Sequence, residues 1–271
     1  MTKSKYNKIR YFVVISIVLF ALLALYSYLY ADVHVSSFFQ KHDQLEKIPG
    51  MNLIRPIGKS YVPLWLIFIC GFLKKRIEII LTGAISMLLV LAIVSPAKII
   101  IERERPYTYF KTQTPNVQQS SHLDIFYKSS SQSFPSGDTA TIFAIVVAVS
   151  PFISRFSFLN LLIIAALVGY LRVVDLAHYV SDVFAGAIIG VFCGWLGIMI
   201  CQQWMKRNKF PFGQGWRNIA AVGIFLIPTL VVFEGFEDFS LFIGSSIILA
   251  GWFFSALNVW PIFKLKLSSP K

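Results

Sequence analysis

Three short segments of the chain hold the residue types that are best suited to chemistry. Residues 98–106 read KIIIERERP, residues 135–138 read PSGD, and residues 172–182 read RVVDLAHYVSD. Each segment lies where an apolar run meets a polar loop. Together they supply fixed cations, a hydroxyl next to a glycine, and a histidine followed four residues later by a carboxylate. Such a set of groups can hold a phosphoryl group and attack it from a histidine nitrogen.

The first segment places two cations at a spacing that fits one face of a helix. Lys98 and Arg105 are seven residues apart, which is almost two turns of an α-helix, and Pro106 then ends that helix or redirects the chain. Lys98 lies within an apolar run, where an ionisable residue usually faces an interior site. The alternative is that Lys98, Arg103 and Arg105 only mark the basic end of a membrane span.

The second segment predicts an anion-binding site at the start of a helix. Gly137 lets the backbone approach a ligand closely, and Ser136 adds a hydroxyl donor. The unpaired N–H groups of the first helical turn and the helix dipole would point at the same place. The alternative is an ordinary helix start, at which Ser136 and Asp138 are favoured for capping.

The third segment supplies a candidate nucleophile. His178 and Asp182 are four residues apart and share a face if the next helix has already begun. An imidazole backed by a carboxylate is held in one tautomer, and its other nitrogen is free to attack. Arg172 precedes this pair at the end of an apolar run. The alternatives are an interfacial histidine with a capping aspartate, and Asp175 as a simple partner for Arg172.

The composition indicates that these segments belong to a membrane protein. Hydrophobic residues make up 56% of the 271 residues and charged residues 14%, with a mean hydropathy of +0.67. A soluble domain carries about a quarter charged residues. Helices of about 20 apolar residues cross a bilayer. We predict an all-α, polytopic membrane helix bundle of eight spans, with six as the minimum, at residues 11–30, 61–73, 77–101, 139–153, 158–177, 180–204, 219–233 and 241–260.

The spans divide the chain into two parts. Residues 1–204 form a predicted six-span core, and residues 205–271 contribute two additional spans and a tail. Residues 31–60 and 102–137 are predicted as the two long polar loops. The first span is expected to be retained rather than cleaved as a signal peptide, because its apolar run is long and no small-residue cleavage site follows it.

The basic residues predict the orientation of the chain. More than half of its 25 Lys and Arg lie at the amino terminus, in alternate loops and in the tail, and this side is expected to be cytoplasmic. Both termini then face the cytoplasm of an inner (plasma) membrane, and the three segments face outward. The net charge of +12 is expected to meet anionic lipid headgroups, not nucleic acid. The three cysteines lie in apolar spans and predict neither a metal site nor a disulfide.

In combination, the three segments resemble the signature of the type 2 phosphatidic acid phosphatase (PAP2) superfamily. That signature is a lysine, six residues and Arg-Pro; then Pro-Ser-Gly-His; then Ser-Arg, five residues, a histidine, three residues and an aspartate. The resemblance covers spans three to six and implies a six-helix phosphatase core. The residues that match or replace it are Lys98, Arg105, Pro106, the PSGD segment, Leu171, Arg172, His178 and Asp182.

The resemblance implies a role for each matching residue. His178 is implied to be the nucleophile that forms a phosphohistidine, and Asp182 is implied to orient it. No metal or other cofactor is implied, because cations of the chain do the work that a metal does elsewhere. The groups implied to bind phosphate oxygens belong to Lys98, Arg105, Ser136, Gly137 and Arg172.

Two positions depart from the family pattern. Leu171 replaces a serine, which removes one possible hydrogen bond to phosphate. Asp138 replaces the histidine that protonates the leaving group, and a carboxylate near three cations is a poor acid at neutral pH. Bound phosphate and burial act in the opposite direction, so Asp138 is our candidate general acid and His122 the second. The substitution is also compatible with a leaving group that needs little protonation, such as a diphosphate or a sugar 1-phosphate, and with a weakened or inactive enzyme.

We therefore predict an integral membrane phosphatase that acts on a lipid phosphate or diphosphate at the outer membrane face. Lipid A and undecaprenyl diphosphate are favoured as substrates over phosphatidylglycerol phosphate and phosphatidic acid. The alternatives are a lipid phosphotransferase and a membrane protein that binds lipid headgroups without catalysis. A transporter is disfavoured, because the charged residues cluster at the outer ends of the spans rather than in mid-membrane.

Overall fold

The architecture is that of an all-α bundle, as predicted. The structure is a computed structural model that describes residues 3–42, 61–113 and 132–207. Within these ranges the regular structure is helical, apart from an isolated antiparallel bridge between Glu104 and Gln132. The predicted seventh and eighth spans, at residues 219–233 and 241–260, lie outside the described residues. So does His122.

The helices are numbered here in chain order. A π-helical segment, Ser27–Ala31, joins α1 to α2, and a short 3₁₀ segment, Ser150–Phe152, follows α6. The α-helices are α1 (Lys3–Tyr26), α2 (Asp32–Lys41), α3 (Tyr61–Lys74), α4 (Ile77–Ile101), α5 (Pro106–Gln113), α6 (Gly137–Val149), α7 (Arg155–Val174) and α8 (Val180–Arg207).

Six apolar helical stretches correspond to the first six predicted spans. Four of them are long and apolar enough to cross a membrane: Asn7–Lys41, Ile77–Ile101, Arg155–Val174 and Val180–Lys206. Val62–Lys74 and Gly137–Phe152 are apolar but shorter. Large apolar side chains are exposed along α1, α4 and α7, as on the surface of a helix that faces lipid.

The first helix extends further than predicted. Residues 31–60 were expected to form a loop, but the chain continues through the π-helical segment into α2 and ends its helical course at Lys41. No proline or glycine interrupts residues 32–41, and Asp32 and Lys41 lie at the ends of α2 where their charges complement the helix dipole. Asp32 and Ser36 of this polar extension are buried, so it packs against the rest of the protein.

The loop predicted at residues 102–137 also contains a helix. Its described part includes α5, which begins at Pro106, a residue suited to the first position of a helix because the missing N–H would have no partner there. Pro106 therefore begins a new helix after α4 has already ended at Ile101.

The central element is α6. Every residue from Thr139 to Val149 is buried, because α8, α4 and α7 pack around this helix. The backbones of α6 and α8 approach closely at glycines of α8. A Cβ on Gly190 would clash with the carbonyl oxygen of Ala140 and lie 2.7 Å from Cβ of Phe143. The N-terminal end of α6, where the PSGD segment lies, is thereby held firmly against α8.

We expect Gly190→Ala to destabilise the protein. The added methyl group meets backbone atoms that cannot move aside, and overpacking of this kind costs about 1–3 kcal/mol. Thermal unfolding of the detergent-solubilised protein measures the effect. Gly137→Ala is the matched control, because among the described residues a Cβ there would meet only Val94 Cγ1, at 3.6 Å. Equal melting temperatures for the two variants would contradict the close packing of α6 on α8.

Candidate active site

The three segments singled out in the sequence meet at one end of the bundle. Lys98 lies in the last turn of α4, Ser136 immediately precedes α6, and Arg172 lies in the last turn of α7. His178 lies in the short turn between α7 and α8. Lys98, Arg105 and Arg172 all lie near enough to His178 to affect its protonation. The structure therefore brings the predicted nucleophile and the three predicted cations together.

The prediction that Lys98 and Arg105 share one helix face is wrong. Helix α4 ends at Ile101, and Glu102 adopts a left-handed conformation with φ of 49°. Arg105 lies beyond this turn, directly before α5. The two cations nevertheless interact electrostatically, and the Lys98 Nζ donates to the backbone oxygen of Gln132 at 3.4 Å. The turn after α4, rather than a continuous helix, places Arg105 at the site.

The turn between α7 and α8 fixes the position of His178. The backbone oxygen of Arg172 accepts from the N–H groups of Ala177 and His178, both at 3.1 Å. Leu176 has a φ of 53°, which a β-carbon makes unfavourable, and its oxygen accepts from Tyr107 N at 3.1 Å. Such backbone strain is typical of functional sites, where the surrounding structure must maintain it.

The hydrogen bonds of the His178 ring assign its tautomer. Nδ1 lies 2.7 Å from the backbone oxygen of Ser133. A carbonyl oxygen can only accept, so Nδ1 carries the hydrogen and donates it, and Nε2 keeps its lone pair. The expected contact with Asp182 is longer, with 3.9 Å between Nδ1 and Oδ2. Ser133 connects the two residues instead, because its hydroxyl donates to Asp182 Oδ2.

His178 is neutral in this environment. The residue is buried, and burial lowers the pKa of His178 well below its usual value. The positive charges of Arg105, Lys98 and Arg172 lower this pKa further, while the hydrogen bond to Ser133 acts weakly in the opposite direction. A neutral imidazole with a free Nε2 has the form that a nucleophile requires.

Asp182 is held by donors from three parts of the chain. Arg103 Nη1 lies 2.6 Å from Oδ1, and the Tyr179 N–H donates to Oδ2 at 2.8 Å. The Ser133 hydroxyl completes the set. The backbone oxygen of Asp182 also accepts from Ser136 N at 3.1 Å, which joins the start of α8 to the start of α6.

Arg172 is the cation that Asp138 contacts. The side chain of Arg172 is 10% exposed, and its Nη1 lies 3.3 Å from Asp138 Oδ2. Its Nη2 lies 3.7 Å from Asp175 Oδ2, so the simple pairing with Asp175 considered from the sequence is also present. Asp138 remains 28% exposed in the first turn of α6. A carboxylate therefore lies beside an arginine that is expected to bind phosphate.

Ser136 and Gly137 begin the central helix. Ser136 is the N-cap of α6, and its Oγ forms a hydrogen bond with Thr139 Oγ1 at 2.9 Å. The capping function considered from the sequence is thus observed. Gly137 is different, since neither a positive φ nor contact with the described residues requires a glycine there. A glycine would be required at this position if a ligand approached the backbone N–H closely.

Three residues of this network were not predicted as site residues. Arg103 was considered only as the basic end of a span, and Ser133 lies in a serine-rich stretch without a distinctive spacing. Asp32 binds Arg103 Nη2 through Oδ2 at 2.7 Å. It is the only acidic residue among residues 1–42, and that isolation was the signal that could have identified it. Leu171, the replacement for the family's serine, is buried in the core. Among the described residues, no group of three or more His, Cys, Asp or Glu is arranged to hold a metal ion.

We expect Gly137→Ala to fold normally but to bind phosphate more weakly. The methyl group has room beside Val94, yet it would obstruct an anion that approaches the N–H groups at the start of α6. Titration with orthovanadate, followed by thermal shift or calorimetry, measures the affinity. Wild-type affinity in a normally folded variant would exclude this backbone from the anion site.

We expect the pKa of His178 to lie below that of an ordinary histidine, which is about 6.5, because the ring is buried and close to three cations. A lowered pKa means that protonation begins only at more acidic pH. Removing a neighbouring cation with Lys98→Met should raise the pKa. NMR of ¹⁵N-histidine-labelled protein measures both, with the His178 signals assigned by their loss in His178→Asn. An ordinary titration midpoint in the wild type would contradict the arrangement of cations.

Comparison with known proteins finds a similar family and a similar solved structure. A family model described as the PAP2 superfamily matches residues 80–208. No curated protein matches the chain. A crystal structure of Aquifex aeolicus LpxE is similar, with 25% sequence identity and a TM-score of 0.44 over 67% of this chain and 93% of that one. The matched residues 80–208 include every residue of the predicted site, and over this region the chain is similar to the PAP2 superfamily.

Proposed function

We propose that the protein is a membrane phosphatase that hydrolyses a lipid phosphate or diphosphate through a phosphohistidine on His178. The observation that carries this proposal is the state of His178, whose Nδ1 donates to Ser133 while three cations surround the ring. These features leave a neutral Nε2 as the reactive atom, next to positive charges that would attract a phosphoryl group. The match of residues 80–208 to the PAP2 superfamily model supports the same reaction.

The reaction has two steps in this proposal. Nε2 attacks phosphorus, the N–P bond forms, and the bond from phosphorus to the leaving oxygen breaks with its electron pair on that oxygen. Water then attacks the phosphohistidine, the N–P bond breaks, and inorganic phosphate and neutral His178 are released. Lys98, Arg105 and Arg172 stabilise the charge that spreads over the phosphoryl oxygens in both steps. These cations perform the role of a metal ion, so we propose that no metal or other cofactor takes part.

How much a proton from Asp138 would accelerate the first step depends on the leaving group. An alkoxide leaving group must be protonated as it departs, whereas the lipid monophosphate that leaves a lipid diphosphate is stable without a proton. Asp138 contacts Arg172, and a carboxylate in its ionised form carries no proton to donate. We therefore favour substrates with good leaving groups, namely a lipid diphosphate such as undecaprenyl diphosphate or the sugar 1-phosphate of lipid A. Phosphatidylglycerol phosphate and phosphatidic acid are the less favoured substrates.

The proposed location is the outer face of the inner (plasma) membrane. Lys74, Lys75 and Arg76 join α3 to α4, and Arg155 begins α7, both at the end of the bundle opposite His178. Basic residues are enriched on the cytoplasmic side of membrane proteins. This distribution supports a site that opens on the extracytoplasmic side, with both termini in the cytoplasm.

A second candidate function is a protein that binds lipid headgroups without catalysis. The observation that favours it is that a carboxylate, that of Asp138, occupies the position of the family's general acid and contacts Arg172. A phosphotransferase, in which another lipid instead of water accepts the phosphoryl group, is a variant of the leading proposal. Only the acceptor in the second step differs.

Phosphate release from a panel of the four candidate lipids tests the proposal. We expect wild-type protein to release phosphate in the presence of a chelator, and His178→Ala to reduce the rate at least about 10³-fold because the nucleophile is lost. His34→Ala, which alters an exposed histidine of α2, is the matched control and should retain activity. No release from any lipid by the wild type would contradict the hydrolase proposal.

We expect Asp138→Asn to have different consequences for the two classes of substrate. The rate with a phosphomonoester that has an alkoxide leaving group should fall about 10²-fold or more if Asp138 donates the proton. The rate with a lipid diphosphate should change far less. Equal losses with both substrates would show that Asp138 does not act as the proton donor.

A further inference from the structure

The helical stretch Asn7–Lys41 reaches the candidate active site through Asp32, the first residue of α2. This residue is 3% exposed, although it carries a charge, and its carboxylate binds Ser181 of α8 and Arg103 of the segment after α4. Oδ1 accepts from Ser181 N at 2.9 Å, and Oδ2 accepts from the Ser181 hydroxyl and from Arg103 Nη2, the latter at 2.7 Å. Asp32 therefore caps the start of α8 from a distant part of the chain.

Arg103 is shared between two buried carboxylates. Its Nη2 binds Asp32, and its Nη1 binds both Asp182 at 2.6 Å and the Ser181 hydroxyl at 2.7 Å. The guanidinium also lies over the ring of Tyr179, 4.0 Å from its centroid. A planar guanidinium held on both edges and on one face has little freedom to move. The position of Arg103, and with it that of Asp182, consequently depends on Asp32.

The network continues from Asp182 to the nucleophile. The Ser133 hydroxyl donates to Asp182, and the Ser133 backbone oxygen accepts from Nδ1 of His178. The Ser133 N–H donates to the backbone oxygen of Arg103. Ser133 is thus tied to Arg103, Asp182 and His178 at once. A shift of Arg103 would move the carbonyl group that selects the His178 tautomer.

We infer that Asp32 is a positioning residue for the nucleophile, and that it acts through Arg103, Asp182 and Ser133 to keep the hydrogen of His178 on Nδ1. This inference rests on the proposed function, in which Nε2 is the attacking atom. It assigns a contribution to α2, which begins at Asp32 and lies outside the residues 80–208 that the family model matches.

The local structure of the first helix fits this task. The helical stretch Asn7–Lys41 is 35 residues long, or about 50 Å, which exceeds the about 30 Å of a bilayer core. Its polar end can therefore extend past the lipid to the level of the site. The π-helical segment Ser27–Ala31 directly precedes Asp32, and π-helical turns of this kind are frequently found at functional sites. The extra residue of such a turn changes the direction in which the following side chains point.

Asp32→Asn tests the inference. The substitution preserves the shape of the side chain but removes its charge, and it turns one acceptor oxygen into a donor that faces Arg103 or Ser181. We expect kcat to fall about 10- to 100-fold, which is the range seen when residues that orient metal-ligating side chains are altered. KM should change less than about threefold. Glu102→Gln, which removes an exposed acid next to Arg103 in sequence, is the matched control and should retain wild-type kcat.

An activity-independent measurement accompanies the kinetics. ¹⁵N NMR of labelled histidine reports which ring nitrogen carries the hydrogen, and we expect Nδ1–H in the wild type and a mixture of tautomers in Asp32→Asn. Unchanged tautomer and unchanged kcat in a folded Asp32→Asn variant would overturn the inference. If the wild type released no phosphate from any lipid, the proposed function would fail, but the tautomer comparison would still decide the role of Asp32.

Two further variants separate positioning from folding. Ser181→Ala keeps the ion pair of Asp32 with Arg103 and removes one hydroxyl, so we expect a smaller loss of kcat, about fivefold. This milder variant still tests the inference if Asp32→Asn does not fold. Arg103→Lys should reproduce the effect of Asp32→Asn, and the double variant should lose little more than the worse single variant. Wild-type kcat and tautomer in folded Ser181→Ala, or fully additive losses in the double variant, would contradict the shared network.

Discussion

The buried carboxylate of Asp182 is the constraint on which the rest of the site depends. Its side chain is 0% exposed, and a charge without water must be compensated by hydrogen bonds and an opposite charge. Arg103, Ser133 and Tyr179 provide that compensation, and they come from the segment after α4, the segment before α6, and the turn before α8. Satisfying one carboxylate therefore brings together the ends of three helices.

The same arrangement divides the charges of the site into two groups. Arg103 is neutralised by Asp32 and Asp182, whereas Lys98 and Arg105 face His178 together with Arg172. Burial and the charges of the second group lower the pKa of His178, and the second group provides positive charge where phosphoryl oxygens are proposed to bind. Asp138 is the exception, because its contact with Arg172 offsets part of that charge. The choice of substrate in our proposal follows from this one acidic residue.

Much of the fold was predictable because hydropathy is a local property. Helix α4 has the predicted bounds, and α8 starts at the predicted Val180, since long apolar runs bounded by charged residues leave little choice. The site segments were recognisable from residue types and spacing. Arg103, Ser133 and Asp32 were not identified, because their functions arise from contacts between residues far apart in sequence. The bridge from Asp32 to Ser181, for example, joins residues 149 positions apart.

Rapid-quench analysis of the enzyme with a ³²P-labelled lipid diphosphate tests the central claim most directly. The account predicts an acid-labile phosphohistidine that forms before steady-state release of phosphate, that is absent from His178→Ala, and that carries the phosphoryl group on Nε2 of His178. Turnover without a phosphohistidine, or a phosphoryl group on Nδ1, would contradict the assignment of Nε2 as the nucleophile and of Ser133 as the group that selects it.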